Sequence, residues 1–346
     1  MTRNRNIDTA GHVYMRRALQ LSLAGEPRVS PNPMVGAVIV ARDRIIGEGY
    51  HRCFGEAHAE VNAINSVKDA DRHLLRESTI YVTLEPCSHF GKTPPCADLI
   101  IATGIPKAVI AIEDPFLKDY ESGIERMRKA GIEVEVGLMR GEALWINRRF
   151  FTAHTLKRPF VLLKWAQSCD GYIAAADGQP VRLSNDFTLM LMHRERAIYD
   201  AIMVGTNTVI NDNPRLNCRF WPCRDNDSRP LKVTFDSPRI LPEAEIMKGN
   251  HVLKAASETL NDFLKRLYSE HKVTSLMVEG GAKTLRSFME DSLMPVDEIR
   301  IENSSVSIGK GIAAPDVEKF CREAGLARGD SKKYFGNTIT YFVKNY

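Results

Sequence analysis

The chain has 346 residues, of which 44% are hydrophobic and 26% charged, with a net charge of +4. That is enough apolar material for two ordinary cores, too little basic excess to suggest nucleic acid or a membrane surface, and no run of about 18 apolar residues for a bilayer span. Seven cysteines, an odd number spread along the chain, argue against a disulfide framework. With residues 1–6 lacking the apolar core of a secretory signal, a reducing, cytoplasmic setting is expected.

Helical spacing over residues 15–24 stops at Gly25, and 35–40 is a short apolar run of the buried-strand type. A turn at 41–43 leads to a hairpin partner at 44–49. Helical spacing resumes over 58–67, a β-rich run follows at 79–84, and Pro94-Pro95 opens a helix reaching residue 102. Strands at 107–112 and 132–136 enclose a helix at 124–130. A helix and a basic connection occupy 138–158, and a boundary falls near residue 155. Beyond it, strands are expected at 160–166, 201–204, 231–235 and 275–278, with helices at 187–198, 260–270 and 282–289. Residues 217–229 read as a polar loop. Both halves are therefore layered α/β material.

The chemistry of the first half lies in three features: His58-Ala59-Glu60 opening a helix, Glu85-Pro86-Cys87 after a strand, and Cys96 opening another helix. His58, Cys87 and Cys96 are suited to zinc, and a helix N-terminus favours a thiolate. Three protein ligands leave one tetrahedral position for water, whose pKa zinc can lower to about 7. Glu60, two residues beyond His58, could carry the protons. A structural zinc would need a fourth ligand, for which His51, Cys53 and His89 are candidates. Zinc nucleobase deaminases carry His-x-Glu followed by Pro-Cys-x-x-Cys. Here the second part is longer, running from Pro86-Cys87 to Pro94-Pro95-Cys96, and it brings in His89 and Lys92, a lysine that could bind an acidic substrate group.

These segments, with Ser30-Pro31-Asn32-Pro33-Met34-Val35-Gly36-Ala37-Val38 and Gly55-Glu56-Ala57-His58-Ala59-Glu60-Val61, resemble the bifunctional riboflavin-biosynthesis deaminase–reductase family over nearly the whole chain. The resemblance implies a cytidine-deaminase-like three-layer α/β/α domain at 1–154 and a dihydrofolate-reductase-like α/β domain at 155–346. It further implies a phosphoribosyl pyrimidine substrate, zinc and NADPH as cofactors, and a homo-oligomer, dimer or tetramer. Asn32, His51, His89, Lys92 and Asp114 would contact substrate in the deaminase pocket. The family's Asp-Pro-Asn-Pro is here Asp114-Pro115-Phe116-Leu117.

In the second half, a lysine inside the apolar run Leu163-Lys164-Trp165 is costly unless it is paired or faces a cleft, and Asp212 is a plausible partner from a turn. By resemblance, Lys164 and Asp212 are catalytic, and Arg196, Leu216, Arg219 and Glu279 bind substrate, the arginines gripping its phosphate. Gln167, Arg182, Ser184, Thr208, Asp212, Ser237, Gly280 and Gly281 would face NADPH, the glycines as a phosphate seat before a helix. Pro180 and Arg182 replace the family's usual serine and tryptophan, leaving open a deaminase with a degenerate reductase-like domain. A nucleic-acid-editing deaminase would require basic stripes with interleaved aromatics, which are not evident. Gly309-Lys310-Gly311-Ile312-Ala313-Ala314 matches a dinucleotide fingerprint on paper but has no βαβ context and is rejected.

Overall fold

The computed structural model describes residues 9–26, 28–89, 94–116, 121–177, 181–221 and 230–344. Lys92 and Pro180 lie outside the described residues, as does most of the expected loop at 217–229. The chain divides into two compact units, Met1–Phe151 and Thr152–Asn345.

In the first unit, β1 (Gly36–Ala41) and β2 (Arg44–Tyr50) form an antiparallel hairpin. Arg42 and Asp43 turn it with φ of 51° and 58°, the left-handed pair that lets a two-residue turn follow strand twist. β3 (Thr79–Val82) lies antiparallel to β1, and β4 (Lys107–Ile110) and β5 (Glu133–Val136) continue in parallel, in the order β2-β1-β3-β4-β5. All of β1 is buried, because both its faces are covered. Ala37, Ile39 and Ala41 share a core with α2 (Ala59–Asn65), α3 (Cys96–Thr103) and α4 (Gly123–Lys129). Val38 and Val40 share another with α1 (Thr9–Ser22) and α5 (Arg140–Ile146). The two-residue period of one strand thus sorts the helices into the outer layers of an α/β/α sandwich.

Where a helix and a basic connection were expected over 138–158, there are two helices, α5 and α6 (Arg148–Leu156). Asn147 separates them. Its buried side chain accepts from the Met34 N–H at 2.8 Å and donates to the Met34 carbonyl at 2.9 Å. A side-chain amide committed to distant backbone in this way competes with helical continuity.

The second unit contains β6 (Phe160–Gln167), β7 (Tyr172–Ala175), α7 (Asp186–Ile198), β8 (Ala201–Met203), α8 (Thr206–Asp212), β9 (Leu231–Phe235) and β10 (His251–Lys254). It continues through α9 (Leu260–Ser269), β11 (Ser275–Glu279), α10 (Ala282–Met289), β12 (Glu298–Asn303), β13 (Gly311–Ala313), α11 (Val317–Ala324), β14 (Leu326–Tyr334) and β15 (Asn337–Lys344). Eight strands join in the order β10-β9-β8-β11-β6-β12-β15-β14. The first six are parallel, and β15 and β14 close one edge antiparallel. Val161, Leu163 and Trp165 of β6 pack with α9, α10 and α11; Phe160 and Leu162 face the opposite core with Tyr199 and Val209.

The strands and helices expected from 160 to 289 all form, but Asp212 ends helix α8 rather than lying in a turn. The rejected glycine stretch is partly β13, paired antiparallel with β7, not the strand–turn–helix a dinucleotide fingerprint requires. Among the described residues, no helix is long and apolar enough to cross a membrane.

Candidate active sites

Three separate segments bring the first site together. His58 is the N-cap of α2, Cys96 is the first residue of α3, and Cys87 lies in the loop after β3. Close packing fixes α2 on the hairpin: a Cβ on Gly49 would lie 2.3 Å from the Ala63 nitrogen and 2.5 Å from the Ala59 oxygen. The Cys87 loop is braced by Glu85, whose carboxylate accepts from Ser122 Oγ at 2.5 Å, the Asp114 N–H at 3.0 Å and the Ile124 N–H at 3.2 Å. Beside it, a Cβ on Gly123 would lie 2.0 Å from the Pro86 oxygen, so α4 can start there only with glycine.

His58 Nδ1 lies 3.6 Å from Cys87 Sγ and 3.4 Å from Cys96 Sγ. Zinc–nitrogen and zinc–sulfur bonds of about 2.05 and 2.3 Å, held at the tetrahedral angle, separate the two donors by about 3.6 Å. The donor set therefore fits zinc. Among the described residues, this is the cluster of His, Cys, Asp and Glu spaced to hold a metal. The fourth-ligand candidates are not part of it. His51 is buried and already engaged: Nδ1 is 3.1 Å from the Ala57 carbonyl and Nε2 is 3.1 Å from Asn32 Nδ2. A carbonyl can only accept, so Nδ1 carries the proton and Nε2 accepts from Asn32. Burial lowers the His51 pKa, consistent with that neutral form.

Electrostatics in this site follow from its dryness. Burial, reinforced by the charge of Cys87, raises the Glu60 carboxyl to about 7. Hydrogen bonding with Cys96 and then His58 lowers the Cys87 thiol to about 4, while the same sulfur contact raises Cys96. His89 is exposed and Asp114 half-buried, with Asp114 Oδ1 accepting from the Phe116 N–H at 2.9 Å. Phe116 does not act as a polar group: its ring meets those of Phe150 and Phe151 at 5.8 and 6.3 Å.

The second unit holds a cleft of about 830 Å³ beyond the carboxyl ends of the parallel strands, where open α/β sheets bind ligands. Lys164, Arg182, Ser184, Arg196, Thr208, Asp212, Leu216, Glu279, Gly280 and Gly281, all candidates from sequence, line it. Three candidates are not among its lining residues. Gln167 accepts from Trp165 Nε1 at 2.8 Å and donates to Asn303 at 2.9 Å. Ser237 sits in the turn after β9 and accepts from the Arg239 N–H. Arg219 is exposed, stacked over Phe220.

One expectation needs correction, and a second residue has a partner that the sequence did not suggest. The carboxylate opposite Lys164 is Glu279, its registered neighbour on β11, whereas Asp212 is exposed and raised by burial alone. Arg196 was expected to grip a phosphate with its fork, but Nη2 and Nε already meet Glu279 at 2.7 and 3.3 Å. Burial opposes the charge on Glu279, yet Arg196, Lys164 and Arg300 hold its carboxyl at about 2. Sequence reading gave no role to Glu85 and missed Glu195, Arg300 and Glu302. The alternation Glu298-Ile299-Arg300-Ile301-Glu302 is a strand signal whose charged residues are buried.

Residues 9–112 match the family model of the cytidine and deoxycytidylate deaminase zinc-binding region, and residues 159–326 that of the RibD C-terminal domain. The riboflavin biosynthesis protein RibD of Aquifex aeolicus is 35% identical across 96% of this chain and 98% of its own. Its counterpart in Escherichia coli is 37% identical, covering 91% and 92%. Among solved structures, a diaminohydroxyphosphoribosylaminopyrimidine deaminase/5-amino-6-(5-phosphoribosylamino)uracil reductase from Thermotoga maritima matches with a TM-score of 0.83 at 33% identity, over 97% of this chain and 99% of that one. Acinetobacter baumannii RibD matches with a TM-score of 0.84 at 28% identity, over 96% and 98%.

Proposed function

The chain belongs to the RibD family of bifunctional riboflavin-biosynthesis enzymes, with zinc and NADPH as cofactors, and we propose how its two units divide the work. The first unit removes the exocyclic amine of 2,5-diamino-6-(5-phosphoribosylamino)pyrimidin-4(3H)-one, and the second reduces the ribosyl group of the product to ribityl. The observation carrying this reading is a three-donor cluster, His58, Cys87 and Cys96, with the buried carboxylate of Glu60 beside it.

Zinc, when held by those three residues, lowers the pKa of water to about 7 and so supplies a nucleophile at neutral pH. Glu60 takes one proton from the water and places it on a ring nitrogen, then moves the proton of the newly added hydroxyl to the amine, so that ammonia leaves and a ring carbonyl remains. Its burial raises the carboxyl above the ordinary carboxylate range, the direction a proton-carrying carboxyl needs. Asn32, with its amide nitrogen on His51, is left with its oxygen to accept from the pyrimidine. Asp114 contacts the same substrate, and His89 and Lys92 receive its phosphoribosyl end.

Reduction adds hydride at C1′ and opens the C1′–O4′ bond, so a proton must reach O4′; NADPH supplies the hydride. Lys164 delivers that proton from the floor of the cleft, with Glu279 steadying its ammonium. Because Arg196 is engaged by Glu279, the substrate phosphate falls chiefly to Arg219. Leu216 packs against the substrate. Thr208, Asp212, Ser184, Arg182, Gly280 and Gly281 flank the cofactor.

The test supplies purified protein with the diaminopyrimidinone, with and without NADPH. Ammonia release in both cases, followed by NADPH oxidation in matching amount, supports two activities. Ammonia without cofactor oxidation would leave a deaminase attached to a reductase-like unit.

A further inference from the structure

A row of four polar side chains crosses one face of the second sheet. Register sets Glu279 of β11 opposite Lys164 of β6, Lys164 opposite Arg300 of β12, and Arg300 opposite Tyr341 of β15. Registered neighbours lie on one face at the strand spacing of about 4.8 Å. Helix α7 covers the row with two adjacent residues. Arg196 pairs with Glu279, and Glu195 meets Arg300 Nε at 3.0 Å and accepts from the Tyr341 hydroxyl at 2.8 Å. Lys164 is 6% exposed and Arg300 is 0% exposed.

Stability alone does not account for Arg300. No guanidinium nitrogen makes an aligned hydrogen bond among the described residues, and its ion pair with Glu195 is buried. A well-packed apolar pair of the same volume commonly matches or exceeds such a pair in stability. What an apolar pair cannot supply is a positive charge one strand away from Lys164.

We propose that Arg300 is a positioning residue for the reduction: it drives the Lys164 ammonium out of the sheet interior towards the cleft and Glu279, and eases the loss of its proton, with Glu195 as the counter-charge that limits the effect. The inference rests on the reading of Lys164 as the proton donor. The charged groups facing Lys164 are Glu279 from β11, Arg300 and Glu302 from β12, and Arg196 and Glu195 from α7. Burial lowers Lys164, Glu279 opposes that, and Arg300 adds to the lowering. Register sets Arg300 on the strand beside Lys164, while Glu195 reaches the same guanidinium from α7, so the pair presents its positive member to the lysine along the sheet.

The experiment follows the turnover rate of NADPH oxidation against pH with the deaminated substrate supplied, in Glu195→Leu/Arg300→Leu and in Glu195→Gln. Removing the pair strengthens the hold on the Lys164 proton, so the alkaline limb moves up by about one pH unit. Removing only the counter-charge moves it down. KM for NADPH stays unchanged in both, and Arg300→Lys keeps the wild-type profile. Wild-type limbs in both variants, or shifts of the same sign, would overturn the inference. Should the double variant fail to fold, Glu195→Gln decides alone, a downward shift supporting the role and no shift removing it. Full NADPH oxidation by Lys164→Ala would instead overturn the reading of Lys164 itself.

Discussion

The two candidate sites are built in opposite ways. In the first unit, the chemistry sits on residues at helix starts and in one loop, and each is fixed by partners within about forty residues of the chain: Gly49 under α2, and Glu85 and Gly123 around Cys87. In the second, Lys164 acquires its environment from β11, β12 and α7, segments more than a hundred residues apart in the chain at the extremes. A site made of local segments tolerates change elsewhere in its sheet. A site made of cross-strand charges depends on several strands holding register at once.

The sharpest break between the two comes from Glu60→Gln. Ammonia release should fall by about 10⁴-fold, the upper range for a lost general base, with zinc content by metal analysis unchanged and NADPH oxidation of the deaminated substrate intact. Undiminished ammonia release with metal still bound would remove Glu60 from the mechanism. Next in size, Arg196→Ala leaves Glu279 buried without its closest partner. The second unit should lose about 3 kcal/mol, the low end for a broken buried pair because Lys164 still faces the carboxylate; denaturant unfolding measures it.

The same carboxylate gives an acid signature. Glu279 is held near 2 in the fold, below its unfolded value of about 4.3. Its stabilisation is therefore complete above about pH 4.3 and drains away as pH falls towards 2. Unfolding midpoints across that window should decline more steeply in wild type than in Glu279→Gln, and equal slopes would contradict the assignment. The smallest effect is that of Phe116→Asn in the first unit. It removes the ring contacts with Phe150 and Phe151, worth about 1 kcal/mol. It also restores a polar group beside Asp114, so KM for the diaminopyrimidinone should fall while turnover stays level.

This contrast also explains what could be read from sequence. His58, Glu60, Cys87 and Cys96 were legible because helix starts and prolines place them without knowledge of the sheet. Lys164 was legible only as an anomaly, a cation in an apolar strand. Its true partner, Glu279, and the cation beside it, Arg300, become visible only once the strand order β11-β6-β12-β15 is known. Strand β14 gave a weak signal because most of it is exposed, with Arg328, Asp330, Lys332 and Lys333 along it, as an edge strand must be to resist further pairing. The break at Asn147 was hidden for the same reason: its cause is Met34, far back in the chain.

That clamp bears on synthesis as well as on shape. Met34 lies just before β1, the wholly buried strand next to the sheet's centre, and its N–H and carbonyl lack their Asn147 partner until a ribosome has made and released that residue. Earlier nascent chains hold the sheet and its metal donors, yet lack the last pair of hydrogen bonds at the mouth of β1. Completion of the first unit is thus timed to the emergence of α5 and α6, and a truncation ending short of residue 147 should stay open at that end however well the rest has folded.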